Sequence, residues 1–447
     1  MPNSVRYGRA RGEEVRMSKT LQNVSFLSQG PHPAADPCVS LYHGQQHFGY
    51  RDQNRIIWDA WYDGEGNWNL QQLNGAGGRT DGPVAFAGPF IGVFHDQQHF
   101  AYLDATGIIW DSWYDGNGNW NLQRINGYPF GGPLALIEPF PNSPPPFVSI
   151  WNDPSNTQQH FTYQGFDRAI NDAFWDSDPP LAHPYWKRQR FDNVLGVGSS
   201  PFACVFHEQQ HIGYHDGLGF IWDQWYDGDG HWNAQQITGG GDARTNGPEA
   251  FRGKHPFIWV DRTNTQQHFT YLGHDRAIYD AFWDSDGKSW NLQKLTCGGL
   301  TDGPAAWSSL TVCNYQPTEV IPVVYIAYRD EVGTIWTVGY VNDTWFSVQM
   351  KDLPFGASTD ATGDVPRAFG DVITWVDSSG NQIHFTFRGT QFSDPFVPVP
   401  PVAVAARVVG DARPLATLTP AHGGPANISR ESVAIWDFFY EPAPYLG

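Results

Sequence analysis

A histidine followed twelve residues later by an aspartate recurs five times in this chain of 447 residues. The five pairs are His47/Asp59, His99/Asp111, His160/Asp172, His211/Asp223 and His268/Asp280. The surrounding sequence repeats with them, since QQHFGYRDQNRIIWDAWYDGEGNWNLQQL returns as QQHFAYLDATGIIWDSWYDGNGNWNLQRI and again as QQHIGYHDGLGFIWDQWYDGDGHWNAQQI. Apolar residues can recur for packing alone, but an ionisable pair at fixed spacing requires its own explanation. These pairs are therefore the first candidates for a functional site.

The length of the repeat indicates the fold. Successive histidine positions lie 51 to 61 residues apart when Tyr325 and His384 are taken as the sixth and seventh members. Each repeat contains four short segments of strand-like alternation separated by turn residues, which is the make-up of a propeller blade. No segment keeps an apolar period of 3.6 residues, so helices should be scarce. We predict an all-β, seven-bladed β-propeller of four-stranded blades.

The last two repeats depart from the pattern. The sixth has Tyr325 and Thr337 in place of the ionisable pair, and the seventh separates His384 from Asp437 by a long insert at about 390–431. The chain ends without a fourth strand for this blade, so we expect the segment SKTLQNV near the N-terminus to complete it and close the ring. The predicted organisation is a flexible tail over 1–16 and a propeller over 17–447, with the insert over one end of the ring.

Charge and composition restrict the partners. The formal net charge is −19, with 46 acidic against 27 basic residues. Such a surface repels phosphate backbones and anionic lipid, so we expect neither nucleic acid binding nor membrane insertion. The N-terminal residues lack the apolar stretch of a secretory signal, which predicts a protein that is cytoplasmic or released without a signal peptide. The four cysteines show no paired metal-ligand spacing, and we expect no cofactor.

The geometry of a hairpin indicates how each pair is arranged. If a three-residue turn joins the two strands, His268 lies directly opposite Asp280, and directly opposed side chains share one face of the sheet. The identical spacing in five repeats indicates that this register is fixed. We therefore expect each blade to place an imidazole beside a carboxylate, with polar ends that reach a solvent-filled groove shared with the neighbouring blade.

The repeat resembles the blades of the Aleuria-type fucose lectins, which have the form R-V-Y-x-x-x-x-D-G-x-I-x-E-x-x-W-D-G-x-G-W. Aligned with HFTYLGHDRAIYDAFWDSDGKSW, the arginine of the family falls on His268, its glutamate on Asp280 and its stacking aromatic residue on Trp283. The chain is also similar to the seven-bladed Photorhabdus-type lectins, through its GPAAW and W-Y-D segments. The similarity extends from about residue 18 to 447 and implies a lectin with several equivalent carbohydrate sites between blades.

The resemblance implies that each site uses a histidine and an aspartate for sugar hydroxyls and an aromatic ring for stacking. Histidine offers at most two donors where arginine offers a fixed fork, and the smaller pair leaves more room. A sugar other than fucose is therefore as well accommodated as fucose. The predicted ligand-binding residues are His47, Asp59, Tyr62, His99, Asp111, Tyr114, His160, Asp172, Trp175, His211, Asp223, Tyr226, His268, Asp280, Trp283, His384 and Asp437.

Four other interpretations stay open at this point. The pairs could be buried ties between strands, because buried ionisable groups are normally paired with each other. His43, His95 and His207 suggest a metal site, but a metal needs three or four convergent ligands, and none is predicted. A single enzymatic site could lie near the sixth and seventh blades, with His384, Asp437 and the insert as its parts, or the propeller could be a protein-interaction scaffold. No hydrolase, metalloprotease or phosphate-loop motif supports the enzyme.

Overall fold

The computed structural model of the chain describes fourteen ranges of residues. They are 17–23, 30–34, 37–63, 67–127, 131–137, 146–177, 185–191, 196–261, 263–318, 321–341, 344–349, 367–369, 372–376 and 382–389. The predicted tail at 1–16, the insert at 390–431 and Asp437 lie outside them. The described ranges contain strands, turns and bends but no helix. None of them therefore forms a helix that is long and apolar enough to span a bilayer.

Strands are numbered along the chain from β1 (Met17–Asn23), and six blades each consist of four consecutive antiparallel strands. Blade 1 comprises β2 (Cys38–Tyr42), β3 (Gln45–Arg51), β4 (Ile57–Tyr62) and β5 (Trp68–Gln72), and blade 2 comprises β6 (Ala87–Phe94), β7 (Gln97–Leu103), β8 (Ile109–Tyr114) and β9 (Trp120–Arg124). Blade 3 comprises β10 (Val148–Asn152), β11 (Gln158–Gln164), β12 (Ile170–Asp176) and β13 (Tyr185–Phe191), and blade 4 comprises β14 (Phe202–Phe206), β15 (Gln209–His215), β16 (Ile221–Tyr226) and β17 (Trp232–Gln236). Blade 5 comprises β18 (Phe257–Val260), β19 (Gln266–Leu272), β20 (Ile278–Asp284) and β21 (Ser289–Lys294), and blade 6 comprises β22 (Thr311–Thr318), β23 (Ile321–Arg329), β24 (Ile335–Val341) and β25 (Thr344–Gln349).

The remaining strands form a composite sheet that differs from the six blades. It contains β26 (Arg367–Phe369), β27 (Val372–Val376), β28 (Gln382–Gly389) and β1, in the order β1-β28-β27-β26. The N-terminal strand pairs directly with β28, where Gln22 lies opposite His384. It thus takes the fourth position in the sheet, counted from β26, as predicted. An unpaired strand edge pairs with the nearest available strand, which accounts for this arrangement.

The predicted seven-bladed propeller is therefore corrected to an all-β propeller with six blades that follow the repeat. The composite sheet draws on both ends of the described chain and lacks the consecutive four-strand order of a blade. It contacts β22 of blade 6 and β2 of blade 1, so it lies between the last blade and the first. The strand near Asp437 that was assigned to the last blade lies outside the described residues.

The core lies between blades. The second strand of each blade buries both of its faces, as His268 and Phe269 show in β19, because each sheet packs between two neighbouring sheets. Phe48, Phe100, Phe161, Ile212 and Phe269 occupy the same place in blades 1 to 5 and are fully buried. An ionisable residue on this strand is consequently buried as well, and it needs hydrogen-bond partners.

A five-residue turn joins the second and third strands of every blade. In blade 4 the turn begins at Asp216, whose Oδ1 accepts hydrogen bonds from the backbone N–H groups of Leu218 and Phe220 at 2.8 and 3.0 Å. Its Oδ2 accepts a hydrogen bond from Trp222 Nε1 at 3.0 Å. Aspartate side chains commonly stabilise turns in this way. The three-residue turn assumed from the sequence is therefore wrong by two residues.

Candidate functional site

Each of the five predicted pairs is joined by a hydrogen bond. A carboxylate can only accept, so the histidine Nδ1 carries the proton and donates it. The Nδ1–Oδ distances are 3.1 Å in His47/Asp59, 2.8 Å in His99/Asp111, 2.7 Å in His160/Asp172, 3.0 Å in His211/Asp223 and 2.8 Å in His268/Asp280. The predicted twelve-residue spacing thus corresponds to a direct contact in every one of these blades.

The register of the pairs differs from the expected one. His268 lies opposite Phe282, and Asp280 lies opposite Thr270, so the two members of the pair are diagonal neighbours. Direct opposition was predicted from a three-residue turn, and the turn of five residues shifts the partner by two positions. A shift of two keeps both side chains on the same face, because side chains alternate with a period of two. The pair therefore forms despite the different register.

The pairs are buried. The five aspartates are at most 1% exposed and the five histidines at most 5%. The expectation that both polar ends reach a solvent-filled groove is therefore wrong for the carboxylates, and it is wrong as well for the imidazole Nε2 atoms of blades 1 to 4, which are buried. Both faces of the strand are covered by neighbouring sheets, and the period-two pattern of the sequence could not reveal this.

Each carboxylate has a second donor on the fourth strand of its blade. This donor is a glutamine Nε2 at 2.9 to 3.0 Å, from Gln71, Gln123, Gln189, Gln235 or Gln293. In blades 3 and 5 the hydroxyls of Thr162 and Thr270 donate as well. The aspartate therefore ties together the second, third and fourth strands. One oxygen of Asp111 has no partner within the described residues, but each carboxylate still joins these strands. Hydrogen bonds between buried polar groups of this kind specify one strand register.

The blades that carry a pair are of two types. In type I blades (1, 2 and 4) the residue opposite the histidine on the first strand is small: Ser40, Gly92 or Cys204. In type II blades (3 and 5) it is Trp151 or Trp259, whose ring stacks on the imidazole at 3.9 or 3.7 Å. The imidazoles of type I blades stack instead on a tryptophan of the third strand, Trp61, Trp113 or Trp225. The two types thus give the imidazole different surroundings.

A hydrogen-bonded chain connects the buried pair of blade 4 with the surface. Gln235 turns its Nε2 to Asp223, so its Oε1 points away from the pair and accepts a hydrogen bond from Arg244 Nε at 2.9 Å. Blade 1 has the same chain, in which Arg79 Nε donates to Gln71 Oε1 at 3.1 Å. The order histidine, aspartate, glutamine and arginine is thus the same in two blades.

A cleft of about 310 Å³ lies between blades 4 and 5. Blade 4 and the loop after it contribute His211, Trp225, Gln235 and Arg244, and blade 5 contributes Gln267, Trp283 and Trp290. Trp283 thus faces the pair of the preceding blade and not the pair of its own blade. Trp283 follows Asp280 by three residues, and an odd spacing along a strand places two side chains on opposite faces.

Two polar atoms at this cleft have no hydrogen-bond partner within the described part of the chain. They are Nε2 of His211 and Nε2 of Gln267, in side chains that are 4% and 2% exposed. Because His211 Nδ1 donates to Asp223, its Nε2 is an acceptor when the ring is neutral, whereas the Gln267 amide nitrogen is a donor. The pKa of the Cys204 thiol is raised by burial and by the charge of Asp223, and a hydrogen bond from the Gln267 side chain opposes this rise. His211 and Gln267 both line the cleft, but these two Nε2 atoms are themselves buried, so a bound hydroxyl or water reaches them only when neighbouring side chains shift.

The other predicted aromatic residues lie at equivalent positions. They are half-buried, and each packs against a tryptophan of the fourth strand at 5.6 to 5.9 Å. The pairs of rings are Tyr62/Trp68, Tyr114/Trp120, Trp175/Trp186, Tyr226/Trp232 and Trp283/Trp290. The fourth-strand tryptophan of each ring pair was not predicted as a site residue, and neither was the glutamine three residues after it. The segment W-N-x-Q, which recurs in four of these blades, was the signal for both.

The remaining candidates lie away from this cleft or have other neighbours. His43 Nε2 lies 2.8 Å from Asp96 Oδ1, and His95 Nε2 lies 2.6 Å from the Asn156 carbonyl oxygen, so both connect the first hairpins of adjacent blades. No three metal-ligating side chains converge within the described ranges. Tyr325 and Thr337, which replace the pair in blade 6, are buried. His384 lies in β28, between β1 and β27.

Similar solved structures include two proteins that are named as lectins. BP39L lectin from Burkholderia pseudomallei superposes with a TM-score of 0.56 at 15% identity, over 82% of this chain and 99% of that chain. AofleA from Arthrobotrys oligospora gives 0.47 at 11% identity, over 78% and 94% of the two chains. Aleuria aurantia lectin, in complex with Fucα1-6GlcNAc, gives 0.42 at 14% identity, over 68% and 93%.

No protein-family model matches the sequence, and no curated protein sequence matches it either. Identities this low establish a common fold alone, and only the superposition on BP39L is close enough to carry that conclusion. The chain therefore has the β-propeller fold that BP39L lectin also has.

Proposed function

We propose that this protein is a carbohydrate-binding propeller and that the cleft between blades 4 and 5 is a saccharide site. The observation that carries the proposal is the combination of tryptophan rings with unpartnered polar atoms in one cleft. A sugar presents an apolar ring face and a rim of hydroxyls, so it binds best where flat aromatic groups adjoin hydrogen-bonding groups. The lectin nature of BP39L, which has the same fold, is consistent with this use.

In this site the histidine and the aspartate have different roles. His211 Nε2 accepts a hydrogen bond from a sugar hydroxyl, and Gln267 Nε2 donates one to another. Asp223 is fully buried and does not reach the ligand, but it fixes the tautomer of His211 and the orientation of Gln235. Trp283 and Trp225 provide ring faces for stacking. The aspartate thus holds His211 and Gln235 in place, and it does not itself make the sugar contact that was predicted for it.

A second site of the same kind lies between blades 1 and 2. His47, Trp61, Gln71 and Arg79 of blade 1 match the four residues of blade 4, and blade 2 presents Gln98, Tyr114 and Trp120 at the places of Gln267, Trp283 and Trp290. The crevice between blades 3 and 4 differs, because Trp232 Nε1 donates across it to Gln189 Oε1 at 3.1 Å. We therefore propose two matched sites in place of five equivalent ones.

Screening on a glycan array, followed by calorimetry with the glycans that bind, tests the function. We expect saccharide binding with two sites per chain, since two clefts carry the full set of residues. Four to six equal sites would favour direct use of every pair, and one tight site would favour an enzyme. Binding to no glycan would overturn the proposal and leave the interaction scaffold.

A further inference from the structure

We propose that the saccharide carries a carboxylate, as uronic and sialic acids do, and that Arg244 and Arg79 bind that group. This inference rests on the proposed function and identifies the ligand class of the same two sites. Arg244 lines the cleft. Within the described residues its side chain makes one hydrogen bond, which its Nε–H donates to Gln235 Oε1. Both terminal nitrogens are therefore available, and they match the two oxygens of a carboxylate in a planar, bidentate contact.

The hydrogen-bonded chain keeps the charge of this arginine available. Asp223 is the nearest acid in the chain of contacts, but it already accepts hydrogen bonds from His211 and Gln235. Gln235 stands between the acid and the guanidinium, so it orients Arg244 without neutralising it. Arg190 shows the usual alternative in this protein, because its Nε donates directly to Asp167 at 2.8 Å.

The loop after the fourth strand makes the same backbone contact in blades 1, 4 and 5. Arg79, Arg244 and Leu300 precede the segments TDGP, TNGP and TDGP, and each backbone N–H donates to a carbonyl at the end of the fourth strand, at 2.8 to 3.0 Å. The loop of blade 4 is one residue longer than that of blade 1, yet both arginines reach the equivalent glutamine. In blade 5 the loop is one residue shorter than in blade 1, and the exposed Leu300 takes the place of the arginine.

The charge of the whole molecule argues against a chance arrangement. With 46 acidic and 27 basic residues, the long-range field repels anions. Arg79 and Arg244 oppose that trend, because each is held by the same glutamine contact and has no acidic partner in the described part of the chain. The two arginines therefore favour a ligand that first docks on the aromatic rings and then brings its anionic group into contact with the guanidinium.

Calorimetry with two matched pairs of ligands tests the inference. The pairs are methyl glucuronoside with methyl glucoside, and 3′-sialyllactose with lactose. We expect the acidic member of at least one pair to bind about tenfold more tightly or better, as a charge-assisted bidentate contact provides. The preference should weaken between low and high salt, because added ions screen the contact.

The variants Arg244→Leu and Arg79→Leu copy the residue that blade 5 has at this position, so the fold should tolerate them. Each single variant should reduce the number of acid-selective sites from two to one, and the double variant should lose the preference while still binding neutral saccharide. Equal binding of acidic and neutral members to the unmodified protein, or a preference that survives the double variant, would overturn the inference and leave the proposed function intact. No binding of any saccharide would overturn both.

Discussion

Replacing Asp280 with alanine is expected to lower the free energy of unfolding by about 3–5 kcal/mol. Asp280 is fully buried and accepts hydrogen bonds from His268 Nδ1, Thr270 Oγ1 and Gln293 Nε2 at 2.8, 3.1 and 2.9 Å. Its removal leaves two buried donors and the half-buried Gln293 amide without this acceptor, and an unpaired buried group retains its full desolvation cost. The loss should therefore be far greater than the loss of one average hydrogen bond.

Urea unfolding followed by tryptophan fluorescence and by circular dichroism measures this effect. Asp286→Ala is the matched control, since Asp286 is an exposed carboxylate in the same blade, and we expect it to change the unfolding free energy by less than about 0.5 kcal/mol. If Asp280→Ala and the control were equally stable, the aspartate would not be the tie between strands that its contacts indicate.

Replacing Trp283 with alanine should weaken saccharide binding at the cleft between blades 4 and 5 by about tenfold to a hundredfold, which is the value of burying a large apolar side chain against a ligand. Trp283 is half-buried, lines the cleft and packs against Trp290 at 5.9 Å. The alanine variant loses the ring face and leaves Trp290 less well positioned. The matched site between blades 1 and 2 should keep its affinity.

Calorimetry with a glycan identified on the array should accordingly show two sites in the unmodified protein and one strong site in the variant. Trp307→Ala is the control, because Trp307 is 40% exposed and its ring stacks on Arg276 at 4.3 Å, away from the cleft. Equal loss of binding in both variants would indicate a general disturbance of the fold. Unchanged binding in Trp283→Ala would exclude this ring from the site.

The sequence predicts much of the fold because the repeat is explicit. Strand-like alternation defines blades 1 to 5, aspartate-glycine turns mark all of these except blade 3, and blade 6 keeps the aromatic residues. The turn between the second and third strands was assigned the wrong length, since turns of three and five residues both place His268 and Asp280 on one face. The place of the N-terminal strand in the composite sheet was predicted, because the last repeat lacks a fourth strand and an open strand edge needs a partner.

The site is predictable only in part. The pairs are visible as a repeated spacing, but their burial follows from packing on both faces of β19 and its counterparts, which a single repeat does not show. The orientation of Trp283 toward the preceding blade is implied by its odd spacing from Asp280. Arg244 and Arg79 lie in loops of different length, so their common contact with a glutamine appears only in three dimensions.

A crystal structure with a saccharide selected on the array tests the central claim most directly. We predict a sugar ring in the cleft between blades 4 and 5, stacked on Trp283 or Trp225, with hydroxyls within hydrogen-bond distance of His211 Nε2 and Gln267 Nε2 and with Asp223 still bonded to His211. A sugar bound on another surface of the propeller, with this cleft filled only by water, would contradict the account.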